Sequence, residues 1–151
     1  MQKTIIADTS CLILLENIGE LKILHLLFGE IIITSTIAKE FGEKLPKWIK
    51  IVDPENKTYQ NLLLTTVDKG EASAIALAVE QKDCLLILDD QKARKLALKL
   101  SLNYTGTLAL LVNAKLNGHI KSIRPILNKI RKTNFRLTPE LEKKILESTN
   151  E

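Results

Sequence analysis

The chain has 151 residues, 45% of them hydrophobic, and carries a formal net charge of +4. That length suits one compact domain with a sizeable core and leaves little room for a second. No apolar run reaches the length of a membrane span, and Met1-Gln2-Lys3 leads into a short apolar stretch unlike a secretory leader, so a soluble, cytoplasmic protein is expected.

Thr4-Ile5-Ile6-Ala7 reads as a short buried strand that ends at Asp8, and a helix is expected from Ser10 onward. A second helix around Glu20 to Leu27 leads to the β-branched run Ile31-Ile32-Ile33. Thr34-Ser35-Thr36 then offers capping residues for a helix that carries Glu40. Pro46 closes that helix, Trp48 to Val52 reads as a short edge strand, and Pro54 is expected to begin a helix through Leu64. Asp68-Lys69-Gly70 breaks the pattern. Glu71 opens a helix rich in small residues, and Cys84 to Leu88 is the clearest buried strand, ending on Asp89-Asp90. A helix with Lys92, Arg94, Lys95 and Lys99 follows, then the segment 102–105, and Gly106-Thr107 starts the first of the C-terminal helices that run from about 107 to 148. Strands and helices alternate, which predicts an α/β fold with a mainly parallel sheet covered on both faces. Such sheets bind ligands beyond the carboxyl ends of their strands, where Asp8 and Asp89-Asp90 fall.

Charge is segregated along the chain. Residues 1–90 carry 9 Lys/Arg and 14 Asp/Glu, whereas residues 91–139 carry 11 Lys/Arg and no acid. An acid-free stretch of that length suggests a surface facing a polyanion, nucleic acid first.

Each acid has an ordinary reading beside a functional one. Asp8 could cap the next helix, although Ser10 could take that role and free the carboxylate. Glu40 alone is a solvated helix residue, and Glu71 complements a helix dipole. Asp89 and Asp90 repel each other unless a cation or donor compensates them. If all of them converge, they supply the oxygen ligands that hard divalent cations take. His25 and His119 have no partner at ligand spacing and read as packing or surface residues. Ser10 and Cys11 lack a supporting histidine, and Cys11 and Cys84 read as buried, reduced thiols. The glycines form neither a Walker loop nor a dinucleotide fingerprint.

Ile5-Ile6-Ala7-Asp8-Thr9-Ser10, Thr36-Ile37-Ala38-Lys39-Glu40, Gly70-Glu71-Ala72-Ser73-Ala74-Ile75-Ala76 and Leu88-Asp89-Asp90 with Arg94 resemble, in that order, the acidic motifs of PIN domains. They are most similar to the VapC-like branch, whose members are often toxins of toxin–antitoxin pairs. Gly106-Thr107-Leu108 and Gly118-His119-Ile120 are similar to the C-terminal part of an uncharacterised PIN-like subfamily of bacteria and archaea. The resemblance implies a single domain over 1–151, a three-layer α/β/α sandwich and a ribonuclease that uses Mg²⁺ or Mn²⁺. It implies Asp8, Glu40, Glu71 and Asp90 as the catalytic acids and Asp8, Glu71, Asp89 and Asp90 as the metal residues, Asp89 standing next to Asp90 and able to substitute for it. Ser10 would orient Asp8, and Thr107 would stand near the site. One departure is that many PIN domains have Asp where this chain has Glu71.

The resulting expectation is an endoribonuclease whose RNA backbone is held by Lys92, Arg94, Lys95, Arg124, Arg131 and Lys132. Its expected partners are RNA and a small antitoxin; a homodimer is left open, and no membrane is expected. Two other classes stand beside it: a catalytically silent module that binds RNA or protein, and a receiver-type phospho-accepting domain. Receivers carry their acid pair after the first strand, whereas here it follows a later one.

Overall fold

The computed structural model describes residues 3–151. Its elements are β1 (Thr4–Ala7), α1 (Thr9–Asn17), α2 (Lys22–Phe28), β2 (Ile31–Ile33), α3 (Ser35–Phe41), β3 (Ile49–Ile51) and α4 (Lys57–Leu63). They continue as α5 (Lys69–Glu80), β4 (Cys84–Ile87), α6 (Gln91–Lys99), β5 (Asn103–Thr105), α7 (Thr107–Leu116), α8 (Arg124–Arg131) and α9 (Pro139–Ser148).

The five strands form one sheet in the order β3-β2-β1-β4-β5, and every pairing is parallel. Ile5, Ile6, Ile31, Ile33, Leu86 and Ile87 are buried, as expected of strands covered on both faces. Helix α3 packs on α1 and α5, and α5 packs on α4, β1 and β4. Elsewhere α2 packs on β2 and α7, and α7 on α9. The result is a three-layer α/β/α sandwich. Among the described residues, no helix is long and apolar enough to cross a membrane.

Topology fixes where a ligand can enter. The chain steps outward from β1 to β2 to β3, then returns through α4 and α5 to lay β4 on the other side of β1. Strand order therefore reverses between β1 and β4, and it is beyond the carboxyl ends of such a strand pair that parallel sheets offer a binding crevice. Ala7 is in register with Ile87, so Asp8 and the Leu88-Asp89-Asp90 exit leave the sheet side by side.

Several boundaries differ from the sequence expectation for local reasons. Helix α1 begins at Thr9, with Asp8 in the capping position. Helix α4 begins at Lys57 rather than Pro54, because the Asn56 side chain accepts a hydrogen bond from the Tyr59 N–H at 2.9 Å and sets the start there. Asp68 does not break the chain but caps α5, so Gly70 lies inside the helix. Residues 103–105 form an edge strand. His25 has a packing role: its ring stacks on Trp48 with centroids 5.2 Å apart.

Candidate active site

Asp8 occupies the floor of the crevice. Its backbone N–H donates to the Ile87 carbonyl at 3.2 Å, which fixes it against the β4 exit, and the residue is only 3% exposed. Although it stands at the start of α1 with extended backbone, its side chain makes no capping hydrogen bond. Burial pushes its pKa up to about 7. The Thr9 N–H offsets part of that shift, while the fields of Glu71, Asp68 and Glu40 add to it.

Glu71 is the second buried acid. It is the third residue of α5 and closes a reciprocal cap: its Oε1 accepts from the Asp68 N–H at 3.2 Å, and Asp68 Oδ1 accepts from the Glu71 N–H at 2.9 Å. Burial pushes Glu71 to about 7 as well; the Asp68 N–H lowers it, and the charges of Asp68 and Asp90 raise it further. Among the described residues, neither acid forms an ion pair with a Lys or Arg.

Glu40 reaches the same end of the sheet from α3. Its Oε1 accepts a hydrogen bond from the Thr9 hydroxyl at 2.6 Å. Gly70 makes that approach possible, since a Cβ there would collide with Glu40 Oε1 and stand 3.1 Å from Thr9 Oγ1. Gly70→Ala is therefore expected to swing the exposed Glu40 carboxylate off Thr9 at little cost in stability, because the clash is with the end of a flexible side chain and Ala is the better helix former, read as a urea midpoint unchanged or slightly higher with unchanged slope.

The two adjacent aspartates divide their tasks. Both oxygens of Asp89 are engaged by Thr107: the backbone N–H donates to Oδ1 at 2.9 Å and the hydroxyl to Oδ2 at 2.6 Å. Arg94 backs this contact, with its Nη2 3.9 Å from Asp89 Oδ1, its Nε donating to the Leu88 carbonyl at 2.7 Å and its guanidinium carbon 5.4 Å from the Tyr104 ring centre. Asp89 thus ties the start of α7 to the β4 exit, and fully buried Thr107 is its clamp. Asp90 is exposed; its Oδ2 accepts the Ala93 N–H at 3.0 Å and caps α6.

Asp8, Glu71 and Asp90 therefore lie toward the same end of the sheet, near enough for Glu71 to feel Asp90 and Asp8 to feel Glu71, with Glu40 hydrogen-bonded to Thr9 and Asp89 to Thr107 beside them. Ser10 is exposed and makes no hydrogen bond to Asp8 among the described residues; Thr9 is the hydroxyl at the acids. Sequence reasoning expected a hydrogen bond to Asp8 from Thr9 or Ser10, and it is Thr9 that supplies one; it did not place Asp68 at the site. The Asp68-x-x-Glu71 spacing is a capping-box signature and could have placed Asp68 next to Glu71. Cys11 is buried, and desolvation raises its thiol to about 12, so it is a neutral core group at neutral pH.

The donor set suits a divalent cation: its groups are carboxylates, Asp8 and Glu71 are buried, and among the described residues Asp8, Glu71, Asp90 and Glu40 form no ion pair, whereas Asp89 has Arg94 beside it. Among the described residues, no three His, Cys, Asp or Glu side chains stand close enough together to hold a metal as they are oriented. Glu71, Asp90 and Glu40 each place one carboxylate oxygen on a neighbouring N–H or hydroxyl.

The acid-free stretch of sequence is not an acid-free surface, because acids from outside it pair with several of its basic residues. Arg131 pairs with Glu142 from α9, and Lys129 with Glu20 at 3.2 Å. Lys115 lies 3.6 Å from the Glu151 carboxylate, and Arg124 Nη2 donates to the Glu151 carbonyl at 2.7 Å. Arg94 is turned into the fold. Lys92, Lys95 and Lys132 are exposed and form no ion pair among the described residues.

A family model described as PIN domain matches residues 4–151. No curated protein matches the chain.

Proposed function

The chain belongs to the PIN-domain family, and from that premise we propose that it is a metal-dependent endoribonuclease working at the Asp8, Glu71 and Asp90 end of the sheet. PIN domains are generally nucleases. The observation that carries the reading is the pair of buried acids, Asp8 and Glu71, raised to about 7 by desolvation and by neighbouring carboxylates with no cation to offset them. A crevice that concentrates negative charge is costly unless a cation fills it.

Asp8, Glu71 and Asp90 are the residues to hold a divalent ion, Mg²⁺ or Mn²⁺, with Glu40 and Asp89 at its edge. When bound, the ion supplies Lewis-acid polarisation of the phosphoryl group and an activated water. The protein supplies the rest. Asp8 is recessed, so the scissile phosphodiester must enter the crevice. Asp89, clamped by Thr107 and Arg94, fixes the chain from which Asp90 projects, while the Thr9 hydroxyl orients Glu40. No side-chain nucleophile is required, in keeping with the neutral, buried Cys11.

The likeness to the VapC branch extends the proposal to a toxin with a small antitoxin as partner. The silent RNA- or protein-binding module is the second reading, and what favours it is that no three acids converge as oriented. Incubating a mixed RNA pool with the protein, with Mn²⁺ or with chelator, separates the two. The ribonuclease reading expects Mn²⁺-dependent fragments and at least about a hundredfold loss in Asp90→Asn, some 2.7 kcal/mol of transition-state stabilisation. Equal cleavage by wild type and Asp90→Asn would place the chemistry elsewhere, and no cleavage by either would favour the silent module.

A further inference from the structure

Arg94, Lys115, Lys129 and Arg131 each pair with an acid, whereas helix α6 carries three lysines that do not. Lys92, Lys95 and Lys99 lie three and four residues apart, which stacks them on one face of the helix. All three are exposed, and none forms an ion pair among the described residues. The opposite face is the packed one, with Ala93 and Ala97 fully buried and Leu96 and Leu100 against the core.

This arrangement brings the isolated helix no benefit. Like charges at these spacings repel, no acid in α6 relieves them, and Lys92 sits at the second position of the helix, where the dipole disfavours a cation. The nearest carboxylates in sequence are already engaged, Asp90 by the Ala93 N–H and Asp89 by Thr107 and Arg94. What the stripe does fit is a chain of phosphates: it begins directly after Asp90 and runs about 10 Å along the helix away from the crevice.

The geometry points to the α6 stripe of Lys92, Lys95 and Lys99 as the phosphate track for a single-stranded RNA segment flanking the acidic crevice. This rests on the ribonuclease reading for the identity of the strand. A single strand is required because Asp8 is 3% exposed: a phosphodiester reaches it only if the backbone can bend down into the crevice, which a stacked duplex resists. Lys99 extends the track beyond the residues nearest the site, and the arginines of α8 lie outside it because Glu142 and Glu151 hold them.

The test is fluorescence-anisotropy binding of a labelled, short single-stranded RNA in chelator, repeated over a range of salt. It compares wild type, the triple Lys92→Gln/Lys95→Gln/Lys99→Gln, and a charge-matched triple at the exposed lysines Lys44→Gln/Lys47→Gln/Lys50→Gln. At about 0.7 per phosphate contact, the α6 triple should flatten the slope of log affinity against log salt by about 2 and bind at least tenfold more weakly at low salt. The control triple should keep most of the slope, and a duplex of the same sequence should bind wild type more weakly than the single strand does. An unchanged slope in the α6 triple, equal losses in both triples, or equal binding of duplex and single strand would each overturn the track. Cleavage is scored separately with Mn²⁺. If wild type cleaves nothing while the α6 effect holds, the ribonuclease reading fails and the track stands.

Discussion

At pH 8 and without divalent metal, the Asp8→Asn variant is expected to melt roughly 5–15 °C above wild type, although it removes the acid at the floor of the crevice. The reason is the raised pKa of Asp8, about 7 in the folded chain against 3.8 when solvated. A carboxyl with a raised folded pKa favours the folded state fully below pH 4, and that contribution is lost as pH rises through about 7. At pH 8 the folded protein holds an ionised carboxylate in a desolvated, acid-lined position. Since each pH unit between the solvated and folded values corresponds to about 1.36 kcal/mol, the penalty is bounded at about 4 kcal/mol, and a gain on the order of 2–4 kcal/mol is expected from the neutral amide. The advantage should shrink steadily between pH 7 and pH 4 and vanish below. Thermal melts of both proteins across this range check it; a variant less stable than wild type at every pH would show that Asp8 is not strained by its charge.

Mn²⁺ should narrow that gap. A cation that binds only the folded protein stabilises it by mass action, about 2.7 kcal/mol at a hundred times its dissociation constant. Wild type at pH 8 should therefore gain several degrees in melting temperature, saturably, whereas Asp8→Asn should gain little. The effect should weaken below pH 7, because Asp8 and Glu71 must lose their protons to bind metal. An equal Mn²⁺ response in the two proteins would locate the ion at some other group. Together the two predictions describe a site in which stability is traded for the capacity to hold a cation.

Much of this site is legible in the sequence because its strands are short and strongly apolar. Thr4 to Ala7 and Cys84 to Ile87 can only be buried strands, so the acids just beyond them had to emerge at the same edge of a parallel sheet. Glu71 was legible as a first-turn acid, but not its cap by Asp68, because Gly70 looks like a breaker until its closeness to Glu40 is seen. The different roles of Asp89 and Asp90 were hidden, since they depend on Thr107, a residue 18 positions away across β5. The basic segment misled for a related reason. Glu20, Glu142 and Glu151 lie outside it in sequence but beside it in space, and charge runs along a chain do not reveal pairing between helices.

The central claim, that these buried carboxylates form a divalent-cation site, is tested most directly by calorimetric titration of Mn²⁺ into the metal-free protein at pH 7, repeated in buffers of different ionisation enthalpy. Saturable binding should displace about one proton per ion, since two groups near pKa 7 are each about half protonated there, and both the binding and the proton release should be lost in Asp8→Asn. Absence of saturable binding, or an identical isotherm in Asp8→Asn, would contradict it.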